Sequence, residues 1–198
     1  MGAKGIPSHQ KKGIETGALL GFLDEVGFSD RPNVRRTWSK KGKTPIVQTA
    51  GGWTNRSVIG TVVTDPERTK RPRLLMKIQK NGVRSPDIIA FVKHLKRHLH
   101  GQKLILLWDG LTAHTAKATQ DFIKTQSSWL TVERMPTYAP ELNAPEHVWS
   151  SMKAKDMGNI HVSKGEDLDR HIGRSLRRIR KSPTILGGCL KSCGLFKC

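Results

Sequence analysis

Apolar residues recur along this chain at two spacings, one typical of buried strands and one typical of amphipathic helices. Residues 18–28 form a largely apolar run that suits a strand buried on both faces, although Asp24 lies inside it. Leu104–Trp108 is a continuous apolar run that predicts a buried parallel strand, and Asp109 follows it directly. From Ser85 onward, apolar residues recur at helical spacing behind a capping serine and a proline, which predicts a helix.

The remaining elements are predicted from shorter signals. Strands are expected at 44–50, 57–64, 73–79 and 130–135, and helices at 112–126, from Asn143 onward and at 166–181. The first strands are expected to join as an antiparallel meander. Residues 136–140 begin and end with proline and are expected to form a stiff connector, whereas the glycine-rich tail after Pro183 is expected to be loose. Strands and helices that alternate in this way indicate an α/β fold.

Three acidic residues fall where an α/β fold collects its ligands. Two strands separated by a long crossover can lie side by side and parallel, which would make Asp24 and Asp109 near neighbours. Ligands of open α/β sheets bind at the carboxyl ends of strands, and Glu146, in the first turn of a predicted helix, could face the same crevice. Such carboxylates repel one another unless a divalent cation binds between them. Magnesium, which prefers hard oxygen ligands, is the expected ion, and a pair of such ions is suited to phosphoryl transfer on nucleic acid.

Two of these acids also have a purely structural explanation. Glu146 lies three positions after Asn143, which is the spacing of a capping box, and Asp109, which a glycine follows, could mark a turn. Asp24 is harder to explain in this way, because an unpaired acid inside an apolar strand costs free energy unless a cation or another partner compensates it. Glu25 points to the opposite face of that strand by alternation and is left out of the candidate site.

The charge of the chain favours a polyanionic partner. Its formal net charge is +19 and its pI is near 10.4, which makes nucleic acid the first candidate. Residues 101–150 are the exception, with five acidic and four basic side chains. A membrane span is excluded because the longest apolar run stops at Asp24, and the absence of an apolar signal core near the N-terminus favours a cytoplasmic protein. The three cysteines, all in the last ten residues, are interpreted as reduced thiols.

Four motifs, in the same order, resemble the DDE transposases of bacterial insertion sequences in the Tc/mariner superfamily. They are FLDEVGF at 22–28, TWSKKGKTP at 37–45, LWDGLTAH at 107–114 and PTYAPELNAPEHVWSSMK at 136–153. The resemblance runs from about residue 18 to about residue 182. It implies an RNase H-like fold, with a mixed five-stranded sheet flanked by helices. The chain would then divide into an N-terminal basic tail at 1–17, a catalytic domain at 18–182 that ends with a basic helix, and a loose tail at 183–198.

The resemblance also implies a catalytic site. By position in the motifs, the catalytic and metal-binding triad would be Asp24, Asp109 and Glu146, holding two Mg²⁺ ions for which Mn²⁺ can substitute. The spacing from the second to the third acid is similar to that of the family and favours Glu146 over Glu141, which is better interpreted as a loop residue. Gly110 departs from the family pattern, because an asparagine usually follows the second aspartate.

The implied activity is cut-and-paste transposition at a TA target, through hydrolysis of DNA and strand transfer by the freed 3′-hydroxyl. The partners would be transposon ends and target DNA, in a dimer or larger synaptic complex near the bacterial nucleoid. Members of the family usually carry an N-terminal helix-turn-helix region, so a separate part of this kind is a further candidate partner. Candidate DNA contacts are Lys153, His114, Arg174, Arg177 and Arg178. Two alternatives stay open, namely a nuclease of the same fold without strand transfer and an inactive basic DNA-binding remnant.

Overall fold

A computed structural model describes residues 6–31, 36, 38–46, 54–67, 69–135, 142–158 and 165–194. Its centre is a five-stranded sheet in the order β3-β2-β1-β4-β5. The strands are β1 (Leu19–Ser29), β2 (Asn55–Thr64), β3 (Arg73–Gln79), β4 (Leu104–Trp108) and β5 (Leu130–Arg134). Strands β1, β2 and β3 pair antiparallel, whereas β1, β4 and β5 pair parallel. The predicted mixed five-stranded α/β sheet is therefore confirmed.

Helices cover both faces of this sheet. They are α1 (Ile6–Thr16), α2 (Ser85–His98), α3 (Thr112–Thr115), α4 (Lys117–Lys124), α5 (Ala144–Ser151), α6 (Gly165–Lys181) and α7 (Pro183–Ser192), and a π-helical turn (Met152–Asp156) follows α5. Alternate residues of β1 supply two separate cores. Phe22 packs in the core under α5, α6 and α7, whereas Leu23 packs in the core under α2. Among the described residues, no helix is long and apolar enough to cross a membrane.

Two predicted elements differ from the structure. The helix expected at 112–126 is divided into α3 and α4, because Ala116 is extended, with φ −58° and ψ 139°. Side chains of α4 then bond to carbonyl oxygens of α3, with Thr119 Oγ1 donating to Ala113 at 2.7 Å and Gln120 Nε2 donating to His114 at 2.6 Å. The strand expected at 44–50 is not formed at 44–46, and its remainder lies outside the described residues, as does the connector at 136–140.

The N-terminal segment was expected to be a basic tail, but residues Ile6–Thr16 form helix α1. The reason is a long-range pairing with strand β5. His9, which is buried, contacts a Glu133 carboxylate oxygen through Nδ1 at 2.8 Å, and Lys12 pairs with the other oxygen of the same side chain. The basic residues of this segment therefore dock the helix against the edge of the sheet.

The loose C-terminal tail is a second incorrect expectation. Residues Pro183–Ser192 form helix α7, and the Ser182 side chain caps it by accepting a hydrogen bond from the Ile185 amide at 3.3 Å. Leu186 and Leu190 are buried in the core under α5. Cys189 and Cys193 are also buried there, and burial raises the pKa of the Cys189 thiol. The tail is therefore ordered by its apolar residues, despite its glycines.

We expect Leu186→Ala to lower the free energy of unfolding by about 3 kcal/mol, because it removes a fully buried side chain and leaves a cavity. Urea denaturation followed by circular dichroism measures this change. Thr184→Ala, at an exposed position of the same helix, is the matched control and is expected to change stability by less than about 0.5 kcal/mol. Equal effects of the two substitutions would show that α7 is not docked in solution.

Candidate active site

The register of the sheet places two of the predicted acids side by side. Phe22 of β1 pairs with Leu107 of the parallel strand β4, and Asp24 and Asp109 each lie two residues further along. Asp24 lies in the middle of β1, just past the part of the strand that pairs with β4, and Asp109 directly follows the last residue of β4. The parallel pairing of the two strands agrees with the expectation from the sequence.

Asp24 lies inside the protein rather than at its surface, with only 7% of its area exposed. Its Oδ2 atom accepts a hydrogen bond of 3.0 Å from the indole Nε1 of Trp149, which belongs to α5. Gly60 of β2 pairs with Asp24 across the sheet, and a Cβ atom at Gly60 would lie 2.7 Å from the Trp149 ring. The absence of a side chain at Gly60 therefore allows the indole to reach Asp24.

The environment of Asp24 raises the pKa of its carboxyl group to about 7. Burial contributes most, followed by repulsion from the carboxylates of Glu146 and Glu25, while the hydrogen bond from Trp149 acts in the opposite direction. Glu146 is therefore close enough to act on Asp24. A group that is buried and repelled in this way is stabilised in its ionised form by a bound cation.

Glu146 lies in the first turn of α5, and its side chain is exposed. The alternative that it belongs to a capping box is not supported, because Asn143 makes no side-chain capping hydrogen bond and its buried Oδ1 atom has no partner among the described residues. Within the described part of the chain, the Glu146 carboxylate forms no hydrogen bond or ion pair. It is therefore available to a ligand.

The Asp109 carboxylate is held by a backbone amide and a histidine side chain. Its Oδ1 atom accepts a hydrogen bond of 3.0 Å from the Leu111 amide and contacts Nδ1 of His114 at 2.9 Å. Burial alone would raise the pKa of Asp109, but these hydrogen bonds and the charges of His114 and Arg134 lower it below its ordinary value. Its side chain keeps 40% of its area exposed. Asp109 is therefore an ionised carboxylate at the surface of the site.

His114 joins Asp109 to a second acid. Its Nε2 atom lies 2.9 Å from Glu25 Oε1, and its ring stacks on Trp108 with the ring centres 4.5 Å apart. Burial alone would lower the pKa of His114, but its bonds to Asp109 and Glu25 raise it to about 9. The imidazole is therefore a cation at neutral pH and donates one N–H to each carboxylate.

These contacts correct one prediction and add one residue. His114 was expected to contact DNA, but it is 0% exposed and both ring nitrogens are engaged, so it cannot reach a phosphate. Glu25 was left out of the site, and it does face away from Asp24, yet it contacts Asp109 through His114. The signal in the sequence was an acid beside Asp24 and a histidine five residues after Asp109.

The groups of the site are not gathered at one point. In the described ranges, Glu25, Asp109 and His114 are the group of potential metal ligands whose atoms lie within 4.8 Å of one another. Asp24 and Glu146 are not part of that group. Because both nitrogens of His114 are engaged with carboxylates, we interpret this group as a hydrogen-bonded bridge that positions Asp109.

The other predicted DNA contacts lie on the side of the sheet that carries Asp24. Lys153 is half-buried in the π-helical turn, whereas Arg174 and Arg177 are exposed on α6. Arg178 is engaged in an ion pair with Asp156, through Nε at 3.0 Å and Nη2 at 2.5 Å. The structure therefore leaves Arg174 and Arg177 as the stronger candidates on this helix.

Comparison with known proteins identifies the family. A family model described as DDE superfamily endonuclease matches residues 20–169, which is more than half of the chain. The chain belongs to the DDE superfamily endonucleases. The matched residues include Asp24, Asp109 and Glu146. No curated protein matches the chain by sequence.

Solved structures of Mos1 transposase share the fold. A pre-cleavage Mos1 transpososome matches with a TM-score of 0.59 at 16% identity, over 96% of this chain and 61% of that one. A Mos1 mariner paired-end complex with Mn matches with a TM-score of 0.57 at 17% identity, over 96% and 61%. The catalytic domain of Mos1 mariner transposase matches with a TM-score of 0.51 at 16% identity, over 96% and 91%.

These matches confirm the predicted fold. This DDE superfamily endonuclease has the architecture of the RNase H-like catalytic domain of Mos1 transposase, and it spans about three fifths of the Mos1 chains in the transpososome and the paired-end complex. Membership of the DDE superfamily and the predicted fold are therefore confirmed.

We expect His114→Ala to lower the free energy of unfolding by roughly 3 kcal/mol, because it leaves Glu25 and Asp109 without the cation that bridges them. Urea denaturation measures the change. His98→Ala removes an exposed imidazole and is expected to cost less than about 0.5 kcal/mol. A His114→Ala protein as stable as wild type would mean that the bridge is not formed in solution.

Proposed function

We propose that this chain is the catalytic domain of a transposase that cuts DNA at the ends of a mobile element and joins the freed ends to target DNA. The observation that carries the proposal is Asp24, a carboxylate buried in a central strand and repelled by neighbouring carboxylates. In a member of the DDE superfamily endonucleases, such an acid is best explained as a ligand of a divalent cation.

The donor set fits magnesium or manganese. Asp24, Asp109 and Glu146 offer hard oxygen atoms and come from three different elements, which are β1, the end of β4 and α5. Asp109 and Glu146 are accessible to solvent, whereas Asp24 is buried. We propose that these three side chains hold two ions. A Mos1 paired-end complex has been solved with Mn and another with Mg, which supports this choice of ion.

The chemistry proposed here is in-line displacement at phosphorus in two steps. In the first, a water oxygen forms a bond to phosphorus at the element end, and the bond from phosphorus to the 3′-oxygen breaks, which frees a 3′-hydroxyl. In the second, that hydroxyl oxygen forms a bond to a phosphorus of the target strand, and the target's own 3′-oxygen leaves. The bound ions would supply the charge that stabilises the attacking and leaving oxygens.

The chain's own residues hold the carboxylates for this task. Trp149 donates to Asp24 and restrains its carboxylate, while His114 and the Leu111 amide orient the Asp109 carboxylate and favour its ionised form. Because these partners are fixed by packing, little reorganisation is needed when DNA binds.

The net charge of +19 supports DNA as the partner, with phosphate contacts proposed for Arg174, Arg177 and Lys153 on the side of the sheet that carries Asp24. We propose a TA target and a dimer or larger synaptic complex, in keeping with the transpososome and paired-end assemblies solved for Mos1. A separate helix-turn-helix part would read the element ends, and the nucleoid of a bacterial cytoplasm would be the place of action.

We expect the chain to nick supercoiled plasmid in Mg²⁺ or Mn²⁺, and we expect Asp109→Asn and Glu146→Gln to reduce the rate by at least about 100-fold. Each substitution removes a charged ligand while keeping the size of the side chain. Agarose gels of a time course measure the rate. Asp121→Asn, which removes an exposed carboxylate on α4, is the control and is expected to nick at the wild-type rate.

The same assay separates the alternatives. A donor duplex with a pre-cut 3′ end gives a joined product if the chain performs strand transfer, and a nuclease without this step gives only nicks. Metal-independent binding of DNA without any cleavage would support an inactive DNA-binding remnant and contradict the proposed activity.

A metal-binding readout that needs no activity comes from thermal unfolding. Magnesium at about 100-fold above its Kd stabilises the folded chain by about 2.7 kcal/mol, which raises the midpoint by about 5–10 °C. We expect Asp24→Asn to remove most of this shift. Without metal, the same variant is expected to be at least as stable as wild type, because it removes a buried, repelled charge and keeps an oxygen for the Trp149 N–H. A full shift in Asp24→Asn would show that Asp24 is not a ligand.

A further inference from the structure

The side chain of Arg134 occupies the space beside Gly110, the residue that follows Asp109. A Cβ atom built at Gly110 would lie 1.9 Å from Arg134 Nη2, 2.5 Å from Cζ and 2.8 Å from Nε. No amino acid with a side chain could stand at this position while the guanidinium keeps its place. Gly110 is not among the glycines with positive φ, so the restriction there is one of space and not of backbone conformation.

Arg134 ends strand β5 and pairs with Trp108, the last residue of β4. Its guanidinium therefore lies at the carboxyl edge of the sheet, where ligands of such sheets collect. Within the described part of the chain, it forms no hydrogen bond or ion pair. The nearby Asp109 carboxylate is engaged with His114 and the Leu111 amide instead.

Some other arginines that lie close to an acid are paired with it. Arg56 forms an ion pair with Asp169, and Arg178 forms one with Asp156. Arg134 differs because it is exposed and close to Asp109, yet its five donors have no hydrogen-bond partner among the described residues. A planar guanidinium of this kind matches the oxygen atoms of a phosphate, to which it can donate two parallel hydrogen bonds.

We propose that Arg134 binds a phosphate of the DNA strand that lies at Asp109, and that Gly110 provides the gap the guanidinium needs. The inference rests on the proposed function, since it names a contact within the same site. Arg134 brings positive charge to the place where the Asp109 carboxylate would otherwise repel the phosphodiester backbone.

The test is a double-mutant cycle made from Arg134→Ala and Gly110→Ala. Single-turnover nicking of plasmid at saturating protein and magnesium is measured for wild type, both single variants and the double variant. We expect each single substitution to slow nicking by about 10-fold to 100-fold, since a Cβ at Gly110 displaces the same guanidinium that Arg134→Ala removes. In the Arg134→Ala background, Gly110→Ala is expected to change the rate by less than about 2-fold.

Two further variants sharpen the test. Arg134→Lys keeps the charge and loses the planar pair of donors, so it is expected to recover part of the lost rate. Arg97→Ala removes the charge of an exposed arginine on α2 and is expected to nick within about 2-fold of wild type. A wild-type rate for Arg134→Ala, or an equal loss in Arg97→Ala, would overturn the inference. Additive losses in the double variant would overturn the role of Gly110.

A binding measurement distinguishes this inference from the proposed function. Anisotropy of a labelled 30-base-pair duplex, without metal, gives the affinity as a function of salt concentration. We expect Arg134→Ala to reduce the slope of log affinity against log salt by about 0.9, the value for one lost phosphate contact. If wild type binds DNA but does not nick, the proposed activity fails, and the slope still decides the contact. An unchanged slope overturns the inference even in a chain that nicks.

Discussion

The burial of one carboxylate, that of Asp24, constrains the rest of this structure. Asp24 lies in β1, the central strand of the sheet, and is 7% exposed. Its hydrogen bond comes from Trp149, which reaches it only because Gly60 across the sheet has no side chain. This contact fixes how α5 lies on the sheet, and α5 carries Glu146. The position of the third acid of the site is therefore a consequence of how the first acid is satisfied.

Strand β1 organises both faces of the site because its side chains alternate. Asp24 points towards α5, and Glu25 points towards α3, where His114 holds it together with Asp109. Two consecutive residues of β1 therefore contact the parts of the protein that hold the other two acids. Asp24 contacts the helix that carries Glu146, and Glu25 is linked to Asp109 through His114. The helix break at Ala116 belongs to the same arrangement, since α4 side chains bond to carbonyl groups of α3 and support the turn that carries His114.

Much of the fold could be predicted from local patterns, whereas its long-range pairings could not. The strand at 73–79 and the apolar run of β4 were predicted with their observed bounds, because periodicity and apolar runs are properties of short segments. Helix α1 was missed because its docking depends on Glu133, far along the chain. Helix α7 was missed because glycines suggested a loose tail, although spaced apolar residues bury one face. For the site, the three acids were predicted from position, but the bridge through His114 depends on a contact between β1 and α3 that spacing alone does not show.

The three acids are held in three different ways, which explains how an acidic site can exist in so basic a chain. Asp24 is buried and receives one indole N–H, Asp109 is held by a cationic imidazole, and Glu146 is exposed to solvent. Each acid is therefore stabilised separately against repulsion from the others. Among the described residues, no lysine pairs with these acids, and such ion pairs would occupy the oxygen atoms needed for a cation. The Arg134 guanidinium, which comes near Asp109, lies beside Gly110 and pairs with no acid in the described part of the chain. Positive charge thus borders the site, where it can act on a phosphate, and leaves the carboxylates free for a metal ion.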